Sequence, residues 1–194
     1  MCQLLETICI KNGTMLNIEN HQKRIDKSTA ICKYNSFDLS KVIIPESCLG
    51  GTFKLRIIYS NTIEKIEFVK YTPKKINSLK VIEDNRIDYS MKYLDRTSLE
   101  RCLSKKEECD DIIILKNNEL SDTSFSNLLF IRNEEYFTPL HPLLEGTKRS
   151  LLLQQGVIET QIIKLSDIDK FEYCKIVNSM INIEESPVIT SIVF

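Results

Sequence analysis

Three groups of residues in this chain carry chemistry beyond packing. Lys92 lies in Asp88-Tyr89-Ser90-Met91-Lys92-Tyr93, among apolar and aromatic neighbours. A lysine so placed can be desolvated and its pKa lowered, which suits Schiff-base chemistry. Asp122 is a lone carboxylate among hydroxyls in Leu120-Ser121-Asp122-Thr123-Ser124-Phe125-Ser126-Asn127. A turn of that composition offers N–H and O–H donors to an anion. Gly146-Thr147-Lys148-Arg149, preceded by Glu145, opens a helix whose N-terminal N–H groups and dipole suit a phosphate. Each also has an ordinary reading, as a solvated lysine, a polar turn before a strand, and a helix start that binds nothing.

The elements that must position these residues are set by the rest of the sequence. With 194 residues, against roughly 150 per domain, there is room for one large domain or two small ones. Apolar residues at 42% and charged residues at 27% are the balance of a globular protein with a core. Only 5 Gly and 5 Pro exclude a collagen-like or linker-like chain. The 26 basic and 27 acidic side chains sum to −1, so nothing points to nucleic acid or an anionic membrane. No apolar run approaches the roughly 20 residues of a spanning helix. The opening MCQLLETICIKNG has an early Glu6 and no basic segment, unlike a secretion signal. Seven scattered cysteines without a CxxC pair, and two distant histidines, fit neither a disulfide framework nor a zinc site. A cytoplasmic protein without metal is expected.

Strand-forming residues at 4–10, the turn Asn12-Gly13 and a return at 15–18 predict a hairpin. A helix capped by Asn17 or Asn20 follows, to about Lys33. Residues 52–60 and 63–71 alternate as antiparallel strands, and 79–82 is a short strand ending a first unit near 87. Then come a charged helix over 94–108, strands at 112–115 and 126–131, a helix from Gly146 to Gln155, and strands at 157–163, 173–177 and 188–193. A short helix is expected around 167–171. The fold class is α+β in two lobes, 1–87 and 88–194.

In this order and spacing the motifs resemble the class IV aminotransferases, pyridoxal-phosphate (PLP) enzymes of fold type IV. The similarity runs from Leu5-Glu6-Thr7 to Asn178-Ser179-Met180 and Pro187-Val188. His21-Gln22-Lys23-Arg24-Ile25 resembles the segment whose arginine grips the cofactor phosphate. Lys92-Tyr93-Leu94-Asp95-Arg96 resembles the Schiff-base lysine block, and Ser121 to Phe130 the Thr-Glu-Gly-Ser-x-Ser-Asn block. Thr138-Pro139, Leu144 and Gly146-Thr147-Lys148-Arg149 resemble the stretch that closes over ring and phosphate. The resemblance implies a two-lobed, D-amino-acid-aminotransferase-like fold, PLP as cofactor, a small-molecule amino substrate and a homodimer. It implies that Lys92 holds PLP and moves the substrate proton. Asp122 would meet the ring nitrogen, Arg24 and the backbone of Gly146, Thr147 and Lys148 the phosphate, and Leu144 one ring face. Phe125 and Ser126 would contribute around ring or phosphate.

Several positions depart from the family pattern. Asp122 stands where Glu is usual, and Lys148 where the phosphate motif has Thr. Thr97 replaces the tyrosine that branched-chain enzymes carry five residues after the lysine. The chain is also short for the family, with the first strand and part of the small-lobe loops expected to be missing. The block after Lys92 is closer to 4-amino-4-deoxychorismate lyase, which makes 4-aminobenzoate and pyruvate. A D-amino-acid or branched-chain aminotransferase, or a PLP-binding homologue without efficient turnover, are the alternatives. Of Lys54 and Arg56, expected on opposite faces of one strand, Arg56 is the candidate for a substrate carboxylate.

Overall fold

The structure, a computed structural model, describes residues 2–194. The chain divides into two compact units: residues up to Pro73 with Met91–Asp95, and Lys74–Ser90 with Arg96–Phe194. The boundary expected at residue 87 thus moves to Pro73, and the segment bearing Lys92 returns to the first unit.

In the first unit, β1 (Leu4–Lys11) and β2 (Thr14–Met15) form the hairpin, followed by α1 (Ile18–Cys32), β3 (Thr52–Tyr59) and β4 (Ile63–Lys70). The four strands lie in the order β2-β1-β3-β4, with antiparallel pairing throughout. Alternation along β1 puts Leu4, Glu6, Ile8 and Ile10 on one face, opposite Tyr59, Ile57, Leu55 and Phe53 of β3. Their apolar members pack with Ile25 of α1, Leu39 and Cys48 into this unit's core. Asn17 precedes α1 in the left-handed region at φ 56°, a conformation Asn tolerates.

The second unit is one mixed sheet, β10-β9-β8-β7-β6-β5-β12, with β11 also pairing β8. Its strands are β5 (Ser78–Glu83), β6 (Asp111–Lys116), β7 (Glu119–Thr123), β8 (Asn127–Arg132), β9 (Glu135–Pro139), β10 (Glu159–Gln161), β11 (Tyr173–Val177) and β12 (Ser191–Val193). Two α-helices belong to it, α2 (Thr97–Leu103) and α3 (Thr147–Gln154), with a 3-10 helix at Leu165–Lys170 in place of the short helix expected around 167–171. Leu152 of α3 packs with Leu129, Ile158, Val177 and Ile183.

The helix expected over 94–108 shrinks to α2. Residues before it are held against the start of β1, since Leu94 N–H donates to Gln3 O at 2.9 Å and Tyr93 bridges Leu4. After it the charged run turns, with Glu107 at φ 52°. The polar turn expected over 120–127 is mostly strand. β7 runs through Asp122 to Thr123, and only Thr123–Ser126 turn back into β8. Among the described residues no helix is long and apolar enough to cross a membrane.

Candidate active site

Glu6 sits in phase with the core residues of β1 and is fully buried. A carboxylate in such a place needs hydrogen-bond donors to offset its burial. Both oxygens are bonded: Oε1 by Thr7 N–H at 3.1 Å, His21 Nδ1 at 2.8 Å and Arg24 Nη2, and Oε2 by Arg24 Nε at 3.1 Å. His21 and Arg24 reach it from one face of α1, three residues apart. Burial by itself would raise the Glu6 pKa, but the Arg24 and His21 contacts outweigh it and hold the carboxyl well below the usual range. The His21 pKa is lowered, by burial first and then by the Arg24 and Lys92 charges, against the pull of Glu6. The imidazole is therefore neutral, a donor through Nδ1.

Lys92 belongs to this cluster. Its carbonyl accepts from Leu5 N–H at 2.9 Å, so its backbone lies along the start of β1, one residue from Glu6. Met91 and Tyr93 pack on the same core, and Lys92 itself is half-buried. Neither Glu6 nor His21 carries a role among the sequence motifs. The signal was present, since Glu6 interrupts the apolar phase of Leu4, Ile8 and Ile10.

Arg56 pairs across strands with Glu67, Nη1 to Oε2 at 2.8 Å, and Lys65 joins the same carboxylate at 2.7 Å. Arg56 already has an anion. The expectation that Lys54 and Arg56 point to opposite faces is also corrected, because residues two apart on a strand share a face.

In the second unit, Asp122 lies directly opposite Asn127 where β7 meets β8. Asn127 Nδ2 donates to Asp122 Oδ1 at 2.7 Å and to Leu144 O at 2.9 Å, while Leu144 N–H donates to Asp122 Oδ2 at 2.9 Å. Burial raises the Asp122 pKa to about 6 against the opposing hydrogen bonds from Leu144 and Asn127 and the Arg149 charge. Thr123 Oγ1 accepts from Phe125 N–H at 3.3 Å and Ser126 N–H at 3.0 Å, and Asn178 Nδ2 donates to Ser126 Oγ at 2.8 Å. Phe125 and Ser126 thus hold the turn beside the carboxylate, and Leu144 holds the carboxylate through its backbone.

Gly146 caps α3 at φ −67°, a conformation open to any residue. Its need for glycine is steric: a Cβ there would lie 1.9 Å from Asn127 Oδ1. The same asparagine therefore joins the carboxylate to the start of α3. Ser150 N–H is bonded back to Gly146 O at 2.9 Å, and the N–H groups of the preceding turn point out of the helix end by its geometry. Thr147 is buried, Lys148 Nζ donates to Asn182 Oδ1 at 2.5 Å, and Arg149 Nη2 donates to Pro139 O at 2.9 Å. Arg149 is buried and holds the Thr138-Pro139 stretch; neither it nor Asn127 was assigned a role from sequence.

Each unit carries its own share of chemistry. The first has a guanidinium on a buried anion, with the Lys92 backbone bonded beside it on β1. The second has a buried carboxylate suited to a cationic N–H and a helix start suited to an anion.

The family model for amino-transferase class IV matches residues 3–185. An uncharacterized Haemophilus influenzae protein is 34% identical over 187 residues, 93% of this chain and 98% of that one. A provisionally assigned 4-amino-4-deoxychorismate lyase from Haemophilus somnus 129PT superposes with a TM-score of 0.88 at 36% identity, covering 93% of this chain and 97% of that one. A hypothetical aminotransferase from Mycobacterium tuberculosis in its PLP-bound form shares the fold, with a TM-score of 0.77 at 15% identity over 98% of this chain and 81% of that one. The shortness noted from sequence is therefore shared with the two Haemophilus relatives. Spacing of motifs, fold and relatives agree that the chain belongs to the class IV aminotransferase family of enzymes.

Proposed function

We propose that the protein is a PLP-dependent 4-amino-4-deoxychorismate lyase, releasing pyruvate from that substrate to leave 4-aminobenzoate. The observation that carries this reading is the similarity to the Haemophilus somnus structure over nearly the whole of both chains. Thr97, in place of the tyrosine of branched-chain enzymes, argues the same way.

The residues present suit the cofactor. Asp122 is a buried carboxylate bonded by neutral amides, so a pyridinium N–H would offset its burial. Arg24 offers a guanidinium whose side chain is 12% exposed, enough for a ligand to reach. The start of α3 offers backbone N–H groups to a phosphate. When bound, PLP supplies an electron-poor ring that accepts electrons from the carbon bearing the substrate nitrogen. Lys92 would hold the aldehyde carbon through its amine and then carry the proton taken from substrate. Asp122 would keep the ring nitrogen protonated, with Asn127 and Leu144 fixing its oxygens. Leu144, Phe125 and Ser126 would shape the surroundings of the ring. The Lys148 ammonium is tied to Asn182, so its phosphate contact would come through the backbone.

The deciding experiment gives the yellow holoenzyme either aminodeoxychorismate or amino donors alone. Equimolar 4-aminobenzoate and pyruvate, with colour retained in donors alone, are expected. Bleaching by a donor with release of its keto acid would make the protein an aminotransferase. Borohydride reduction should fix the cofactor on Lys92, and its absence there would end the PLP reading. We also propose a homodimer in the cytoplasm, the latter from seven cysteines that form no disulfide.

A further inference from the structure

We propose that Glu6 is a positioning residue for the cofactor phosphate, acting through Arg24. This rests on the PLP reading and adds to it a residue that touches neither substrate nor cofactor. Glu6 is a β1 residue whose side chain is wholly buried, and it takes Arg24 by two atoms of one guanidinium edge, Nε and Nη2. A guanidinium is a planar fork with five donors, so occupying one edge sets the plane and direction of the other. Nη1 and the outer Nη2 hydrogen are left to a second, bidentate anion.

Arg24 carries four side-chain torsions, and an arginine held only by solvent would lose that freedom on gripping a ligand. Here it is lost on folding. His21 and the Thr7 N–H also bond Glu6 Oε1, so the carboxylate is held on the protein side and cannot swing away with the guanidinium. The charges also balance in sequence. Arg24 offsets the buried anion, and a phosphate dianion then meets a guanidinium already desolvated and aimed. Lys92, whose backbone is bonded to Leu5, sits one residue along β1 from the same anchor. One strand thus carries the register of both the amine and the phosphate donor.

The test compares PLP with pyridoxal, which lacks the phosphate, on apo protein. Dissociation constants are taken for wild type, Glu6→Gln, Arg24→Gln and the double variant, and the shift in Tm caused by inorganic phosphate is measured on each. Glu6→Gln keeps the shape and removes the charge that orders the fork. It is expected to weaken PLP about tenfold while leaving pyridoxal unchanged, and to abolish stabilisation by phosphate. The double variant should be no worse than Arg24→Gln alone. Equal weakening of PLP and pyridoxal would mean a merely structural role, and unchanged PLP affinity no role at all. Either overturns the proposal and leaves the PLP reading standing. Wild type that takes no borohydride-fixed label on Lys92 overturns the PLP reading and this one with it. Should Glu6→Gln not fold, Glu6→Asp, which draws the charge back by one methylene, must show the same selective loss in smaller measure. Its absence also overturns the proposal.

Discussion

Asp122 and Glu6 are both buried carboxylates, and their neighbours give them opposite responses to pH. Glu6 has a guanidinium and an imidazole in direct contact, and its pKa is held down. A depressed carboxyl stabilises the fold above the unfolded pKa, and that contribution is lost as pH falls below the usual carboxylate range. Asp122 has only neutral N–H donors in contact, and burial raises its pKa to about 6. Here the folded state binds the proton more tightly, so apo stability declines as pH rises from about 4 to about 6, by roughly 2–3 kcal/mol at most. Asp122→Asn is expected to flatten that limb of a stability-against-pH curve measured by urea unfolding. A pyridinium partner needs the ionised form, so PLP affinity in wild type should fall as pH drops through about 6. An unchanged pH profile of affinity in Asp122→Asn would refute this role.

At the scale of elements, the β7–β8 turn and the start of α3 are one assembly joined by Asn127. Strand pairing brings Asn127 against Asp122, and the absence of a side chain at Gly146 lets its amide reach Leu144 O. Gly146→Ala drives a methyl into Asn127 Oδ1, so either the amide or α3 must shift. Because φ is ordinary there, the cost is steric and hydrogen-bonding, about 1–3 kcal/mol. Both thermal stability and PLP affinity should fall together. A Gly146→Ala protein with wild-type PLP affinity would show that the two elements are not coupled. The strand through Asp122 was read from sequence as a polar turn because Ser121, Asp122 and Thr123 lack the apolar alternation of a strand. Their polarity serves the carboxylate's surroundings, and pairing with β6 overrides the weak local preference.

For the molecule as a whole, the chain passes from the first unit to the second at an exposed irregular stretch, Thr72–Lys75. Limited trypsin digestion is expected to cut first after Lys74 or Lys75, since exposed irregular backbone is where proteases act. The pieces should not separate under native conditions. Residues 91–95 lie on the second piece yet pair with β1 on the first, through Leu5 N–H to Lys92 O and Leu94 N–H to Gln3 O at 2.9 Å each. Light scattering on nicked and uncut protein should return the same mass, that of two 22.5-kDa chains. Release of a stable residue 76–194 fragment would contradict the return of 91–95 to the first unit, and a single-chain mass would contradict the dimer.

Local pattern alone determined the hairpin at Asn12-Gly13, α1, the alternating β3 and β4, and the helix after Gly146, because each depends on neighbours within a few residues. Motif order determined the family, and marked Lys92, Asp122 and the Gly146 helix start as its candidate chemical points. What the tertiary structure decided is how those side chains are held. Glu6 meets Arg24 across 18 positions of sequence, and Asn178 meets Ser126 across 52. The return of residues 91–95 to β1 cut the charged helix short and carried Lys92 into the first unit. Such contacts depend on burial and long-range pairing, where a carboxylate's partners are fixed by what the fold brings beside it and not by the residues that flank it.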